Sequence, residues 1–281
     1  MRKSTKAWLI VAASLVLIGC ILFAAVTAAI GGNFSKLSTV RWETNTYEIT
    51  EPFSDISVTT DTADIVFALS DDGKCRVVCR EEENAKHSAA VEGDALVIQR
   101  TDTGAWYDYL GLRFGTPGIT VYLPNTDVGS VKIKADTGNI RFEDFSVRSL
   151  DLSVTTGAVT VTDVTCRGDI TVNVSTGEVC LTGISCASVI SSGTTGSIFL
   201  DDVVAAEKFS IERSTGSVRF EGSDAAEIFV KTSTGSVTGD LLTDKVFAAD
   251  TDTGSVDVPR SETGGRCEIE TNTGNIAITT G

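Results

Sequence analysis

The side chains that could do chemistry in this sequence are few and scattered. Seven cysteines and one histidine, His87, are the obvious metal ligands, yet no CxxC pair occurs and no cysteine–histidine group stands at zinc spacing. In "CRVVC", Cys75 and Cys79 would share one face of a strand about 13 Å apart, out of disulfide range. His87 follows the acidic run "REEEN" and reads as a surface residue. Asp250, Asp252 and Asp257 surround one turn and could take calcium weakly, but the glycine-rich calcium repeat of parallel β-rolls is absent. Carboxylates are everywhere, so an acid pair for glycoside cleavage would arise only through stacking. GxSxG, HExxH, P-loop, GxGxxG and EF-hand patterns are all missing. The sequence therefore points to a non-enzyme with no cofactor and no metal.

One segment carries a different chemistry. "GAWYDYLGLRF", residues 104–114, gathers Trp106, Tyr107, Tyr109, Leu110 and Phe114 in a glycine-flanked loop. Such a cluster could be an exposed platform for a sugar, a partner protein or the bilayer interface. It could equally plug the end of a hydrophobic core, and both readings stay open. The formal net charge of −15 and pI near 4.5 argue against nucleic acid, and against a basic face docking on anionic lipid.

These groups need a framework, and it starts at a membrane. Residues 1–6, "MRKSTK", form a basic cytoplasmic tip, and Ala7 to Ile30 then run 24 residues without a charge. About 20 apolar residues cross a bilayer as a helix. Residues 7–30 therefore read as a single-pass signal anchor, with the N-terminus cytoplasmic and the bulk of the chain outside. Two other fates of this run stay open. Leu17-Ile18-Gly19-Cys20 resembles a lipobox with Cys20 as the lipidated residue, although the next ten residues stay apolar. Val26-Thr27-Ala28 is a passable cleavage site for a secretory signal. Residues 31–39 read as a linker.

From 128 to 281 one phrase recurs in phase. Thr-Gly dipeptides end at Gly138, Gly157, Gly177, Gly196, Gly216, Gly235, Gly254 and Gly274, spaced by 19 or 20 residues. With each glycine as zero, positions −7, −5 and −3 read Val131, Ile133, Ala135, then Leu150, Leu152, Val154, then Ile170, Val172, Val174. Positions +2 and +4 read Ile140 and Phe142, Val159 and Val161, Val218 and Phe220, with polar residues between. Period-two alternation of β-branched residues marks half-buried strands. Each unit is strand, Thr-Gly corner, strand and a short loop. Glycine accepts the positive φ of a sharp corner. The threonine before it shares the inward parity, so its methyl could pack while its hydroxyl bonds the turn.

Two strands cannot bury their inward face alone, whereas copies stacked at roughly 4.8 Å share one core. The expected fold is all-β, a single-stranded β-helix-like solenoid with two short strands per 19–20-residue coil, after one N-terminal transmembrane helix. An antiparallel meander is the alternative, but it would not require strict phase over eight copies. Residues 40–127 read as the N-terminal capping part and 128–281 as the regular repeats. Within the cap, "SVTTDTADIVFALS" looks like a first coil. "KCRVVCREEENAKHSAAVEGDALVIQ" reads as strand, charged excursion, strand, and "GITVYLP" is a strand stopped by Pro124.

The pattern also degrades. Ser191, Gly193 and Arg213 stand where apolar residues are expected, and Thr232, Thr251 and Thr271 replace valine at −3. Either the later coils have a wetter, looser corner, or a polar inner site surrounds Arg213. Cys166 and Cys186 both sit at +9 in adjacent coils. They read as free thiols in a ladder, with a bridge geometrically allowed.

The in-phase "VSTGEV", "STGSV" and "DTGSV" turns, the "DTADIVF" opening, the "YLP" strand and the single N-terminal anchor resemble a known group. This is the bacterial β-strand-repeat family, classed as a domain of unknown function and as candidate adhesins. The resemblance covers most of residues 40–281. It implies a solenoid at the cell envelope and supplies no catalytic residue.

The function expected is a non-enzymatic, membrane-anchored cell-surface scaffold of adhesin type. Flat faces with ladders of Ser, Thr, Asp and Lys suit repetitive ligands such as glycans or wall polymers. A second reading is an envelope sensor or regulator that binds a membrane protein partner, since such a short stack on a short linker reaches poorly through a thick wall. The family resemblance adds that such proteins often sit beside small membrane regulators. A third, a hydrolase of wall polysaccharide, would need an acid pair clustered on one face.

Overall fold

The computed structural model describes residues 3–29, 31–32, 41–101 and 115–281. The chain divides into two compact units, Met1–Trp42 with Gly104–Gly115, and Glu43–Thr103 with Thr116–Gly281. In the first, Lys3–Ala29 is one α-helix. Its stretch Trp8–Ala29 is long and apolar enough to cross a membrane, which suits an anchor or a signal sequence.

The second unit is a parallel β-solenoid. One ladder stacks 131–137, 150–156, 170–176, 189–195, 208–215 and 228–234. A second stacks 140–143, 159–162, 179–182, 198–201 and 218–221. The segment read as a connecting loop adds a third, short ladder through Asp127, Ser146, Thr165 and Ser185, so each regular coil has three sides. Position −7 of successive repeats forms a column in direct register, Val131, Leu150, Ile170, Val189, Phe209 and Ile228. Every member is buried. Burying each such side chain stabilises by about 1.5–3 kcal/mol, a gain that an isolated two-strand unit cannot collect.

The Thr-Gly corners are closed to side chains in two ways. At Gly216 φ is 152°, and a Cβ there would lie 2.1 Å from the carbonyl oxygen of Gly196 in the neighbouring coil. The threonines before the glycines do stack, Thr137 on Thr156, Thr176, Thr195, Thr215 and Thr234. Their side chains are exposed, contrary to the inward parity expected. Alternation breaks at −2 and −1, both exposed, because the corner already bends the chain out of the pleat. A second corner falls six residues after each of the first five glycines, with left-handed φ at Asp144 (64°), Asp163 (52°), Gly183 (64°), Asp202 (52°) and Gly222 (56°). Aspartate tolerates this region better than most residues with a side chain.

The coils do not follow chain order at either end. Strand 228–234 pairs with 267–273, which pairs in turn with 247–253. The last coil is thus inserted between its two predecessors. At the other end, 56–62 lies between 131–137 and 95–99. The stretch expected as the first coil is therefore the second, under an outer coil built from 95–101 and 118–123. Antiparallel strands finish that end, Cys75–Glu82 on Gly118–Leu123 and Lys86–Glu92 on Ala95–Thr101. They satisfy edges that a bare parallel stack would leave open.

The late threonines are not a loose corner. Thr232 and Thr271 are buried, and their hydroxyls donate to Gly216 O at 3.1 Å and Gly235 O at 3.0 Å. Thr251 donates to Gly274 O at 3.0 Å. Each bond braces a Thr-Gly corner of the neighbouring coil. A buried ion pair, Lys245 Nζ to Asp224 Oδ1 at 2.6 Å, ties the displaced strand back to the stack.

Candidate functional site

The three residues that break the repeat pattern meet in one place. Gly193 and Arg213 are register partners in adjacent coils, and Ser191 pairs with Ile211 beside them. Arg213 is 4% exposed. Its Nη2 donates to Ser191 Oγ at 2.8 Å, and that hydroxyl donates to Val172 O at 3.1 Å. Gly193 makes the room, since a Cβ there would lie 1.9 Å from Arg213 Nη1. Arg213 Nε has no hydrogen-bond partner. Desolvation alone pulls its pKa down to about 10, which still leaves a cation at neutral pH. Among the ion pairs of the described residues none involves Arg213. A buried charge without a counter-ion is among the costliest arrangements a fold can hold.

A groove of about 440 Å³ opens at this point, lined by Asn173, Ser192, Thr194, Arg213, Ser214 and Ser233 among others. Glu212 and Lys231 also line it, and Lys231 is engaged with Glu270 at 2.8 Å. A guanidinium under a wall of hydroxyls can hold an oxyanion and its neighbouring hydroxyl groups. The groove's residues include no histidine or cysteine to act as base or nucleophile.

A larger cleft of about 700 Å³ lies between residues 48–54, 73–75 and 123–129. Ile49, Phe53, Pro124 and Val128 give it an apolar part among polar residues such as Glu48, Asn125 and Asp127, and Arg148 and Arg167 also line it. Those arginines already face Asp55 at 3.9 Å and Asp127 at 2.5 Å. Their charge is largely answered inside the protein, so this cleft suits a segment of mixed polarity better than a free anion.

His87 is not the surface residue that its acidic neighbourhood suggested. It is buried, because pairing of Lys86–Glu92 with Ala95–Thr101 turns the ring inward onto the coil below. Its Nε2 lies 2.9 Å from Thr60 Oγ1 and its Nδ1 2.7 Å from Glu81 Oε2. Glu81, also buried, accepts from the His87 backbone N–H at 2.8 Å and from Asn45 Nδ2 at 2.7 Å. Cys79 joins them, and the ligand atoms of Cys79, Glu81 and His87 all lie within 4.8 Å of one another. The sequence contained the signal, alternate residues 79 and 81 on one strand face, but the acidic flank concealed it. Asp250, Asp252 and Asp257 are exposed, and among the described residues they form no such group.

The remaining sequence candidates divide simply. Trp106, Tyr107, Tyr109 and Phe114 lie outside the described residues. The eight corner glycines all carry positive φ, from 129° at Gly196 to 155° at Gly235. Cys166 and Cys186 are free and buried, and burial with the neighbouring Cys166 pushes the Cys186 thiol up to about 12. Two structural features had a readable signal that went unused. One is the Asp/Gly column at +6, and the other is a lone lysine, Lys245, heading the apolar run 246–249.

Three-sided parallel coils, stacked Thr-Gly corners and a separate apolar helix define a β-solenoid protein with a hydrophobic N-terminal segment. The chain belongs to the Toastrack family (DUF4097), whose profile matches residues 53–281. Among solved structures, it is similar to a candidate adhesin from Bacteroides fragilis NCTC 9343. That match has 16% identity and a TM-score of 0.56, covering 85% of this chain and 97% of that one. A candidate adhesin from Parabacteroides distasonis ATCC 8503 is a weaker match, with 14% identity, a TM-score of 0.43 and coverage of 86% and 98%. The first likeness shows the shared fold. No curated protein matches the chain.

Proposed function

We propose that this chain is a non-enzymatic, membrane-anchored scaffold at the cell surface that holds anionic groups of an envelope polymer against its coils. In this reading residues 7–30 anchor the chain with the N-terminus cytoplasmic, 31–39 link, 40–127 cap the stack, and the repeats from 128 onward present the binding face outside. The observation that carries it is Arg213, a buried guanidinium without a counter-ion bordering a hydroxyl-lined groove. A ligand carboxylate or phosphate would supply the missing charge. Flanking hydroxyls of a polyol or sugar would then meet Ser192, Thr194 and Ser214.

The test uses the full-length chain in detergent or nanodiscs. Its retention is measured on a phosphodiester-linked polyol polymer, a uronate polysaccharide and a neutral glucan. Retention by the anionic polymers, weakened by salt and lost in Arg213→Met, is the expected result. Equal retention by the neutral glucan, or unchanged binding in Arg213→Met, would sink the reading. The larger, partly apolar cleft favours a second reading, a regulator that docks a membrane protein partner there. A stoichiometric membrane companion on purification from native membranes would move the assignment to that cleft.

A further inference from the structure

We propose that Cys79, Glu81 and His87 form a site for one divalent transition-metal ion of zinc type, stapling together separate segments of the N-terminal cap.

The donor set is the first argument. A thiol, a carboxylate and an imidazole are ligands that zinc shares with few other ions. They come from two adjacent strands, Cys75–Glu82 and Lys86–Glu92, and their ligand atoms converge within 4.8 Å. All three residues are buried, at 0%, 1% and 5% exposure. Exposed acidic groups are common without an ion, and none of these three residues is exposed.

Charge is the second argument. A thiolate and a carboxylate together neutralise a dication, so the loaded site would be neutral in a low-dielectric interior. Cys79 Sγ is a buried group with no hydrogen-bond partner among the described residues.

The outer contacts are the third. Metal-bound histidine usually donates its other ring N–H to a second group. Here His87 Nε2 faces Thr60 Oγ1 at 2.9 Å, which leaves Nδ1 for the ion. Glu81 Oε1 is held by Asn45 Nδ2 at 2.7 Å and Oε2 by the His87 backbone N–H at 2.8 Å, which leaves the second lone pair of Oε2, now turned to His87 Nδ1, for the ion. The Tyr47 hydroxyl donates to His87 O at 2.5 Å and fixes the backbone that carries the ring. On binding, Cys79 releases its proton to solvent. The single ring proton of the neutral imidazole moves through solvent from Nδ1 to Nε2, where it donates to Thr60 Oγ1, and Glu81 Oε2 turns from the Nδ1–H to the ion, so the net release is the Cys79 proton alone. Three protein ligands leave one tetrahedral position for water. Asn45 on the strand Trp42–Ile49, Thr60 in the coil at 55–62, and the strands Cys75–Glu82 and Lys86–Glu92 belong to separate segments, so the ion would tie them together.

This site is independent of the Arg213 groove, and its test does not involve a polymer. The full-length chain in detergent is stripped with chelator under reducing conditions and titrated with cobalt(II), then with zinc. The expected result is a thiolate-to-cobalt charge-transfer band that saturates at about one ion per chain and is bleached by zinc. About one proton should be released per ion bound. The melting temperature should rise with zinc. Cys79→Ser should lose the charge-transfer band, and His87→Gln should weaken binding by tenfold or more. No thiolate band in the wild-type chain overturns the proposal whether or not the variants fold. So does a band that persists at full intensity in Cys79→Ser.

Discussion

Arg213 occupies the space that a side chain at Gly193 would fill, and its Nη2 donates to Ser191 Oγ at 2.8 Å. Three departures from the repeat are therefore one feature. An arginine in the lumen needs a missing side chain beside it and a hydroxyl at its tip. Gly193→Ala should destabilise by about 1–3 kcal/mol through overpacking. In an Arg213→Met background the loss should shrink, giving a coupling energy on the order of 1 kcal/mol in a double-mutant cycle. A close approach of Val174 O to the new Cβ keeps the rescue partial. Strict additivity in urea denaturation would show that the two residues do not share the space.

Arg213→Met alone separates a ligand role from a structural one. Replacing an unpaired buried charge with an apolar side chain of similar length removes its desolvation penalty. The melting temperature should hold or rise while polymer retention falls. A clear drop in melting temperature would mean that the guanidinium supports the fold through bonds such as that to Ser191, and the anion groove would lose its main argument.

Gly216→Val tests the corner. The substitution puts a β-branched residue at φ 152° and sets a Cβ 2.1 Å from Gly196 O. Strain and overpacking together should cost at least about 3 kcal/mol. An unchanged unfolding midpoint would refute the corner's steric requirement.

Most of the solenoid was legible because its signal is local and repeated. The column Val131, Leu150, Ile170 is visible as a spacing, and so are the Thr-Gly corners. What stayed hidden depends on pairing between distant segments. Nothing local in "TNTGNIAI" says that it slides between coils already laid down, since any coil of the same period can stack on any other. His87 was misread for a related reason. Burial there is decided by an antiparallel partner, Ala95–Thr101, and local acidity carries no information about it. The Thr substitutions at −3 looked like loss of core, because only the stacked structure puts a carbonyl such as Gly235 O within reach of Thr271.

Alkaline pH should destabilise the fold through its buried thiols. Burial pushes Cys186 and Cys267 up to about 12, with Cys166 and Asp169 adding to the first. In the unfolded chain a thiol titrates near 8.5. Below that value both states keep the proton and stability is unaffected. Between about 9 and about 12 only the unfolded chain ionises, so stability falls by roughly 1 kcal/mol per thiol per pH unit. Urea midpoints measured under reducing conditions should decline from about pH 9 upward, and Cys267→Ala should make the decline shallower. A midpoint that is flat across that range would contradict the burial of these thiols.

The inserted last coil makes the C-terminus structural in an unusual way. In an in-order stack, deleting the final coil would merely expose the one before it. Here 267–273 lies between 228–234 and 247–253, and 276–280 lies between 237–241 and 256–257. A chain ended after Ser261 would leave 245–257 without its ladder partner on the inner side. It would also leave the corner carbonyl of Gly235 without the Thr271 hydroxyl. Backbone amides in 245–257 should then lose their hydrogen-exchange protection, while those in 131–215 keep theirs, as expected where each coil is stabilised by its neighbours. Protection of 245–257 at full-length levels in the truncated chain would mean that this segment can stack directly on 228–241, and that the insertion is one of two accessible orders.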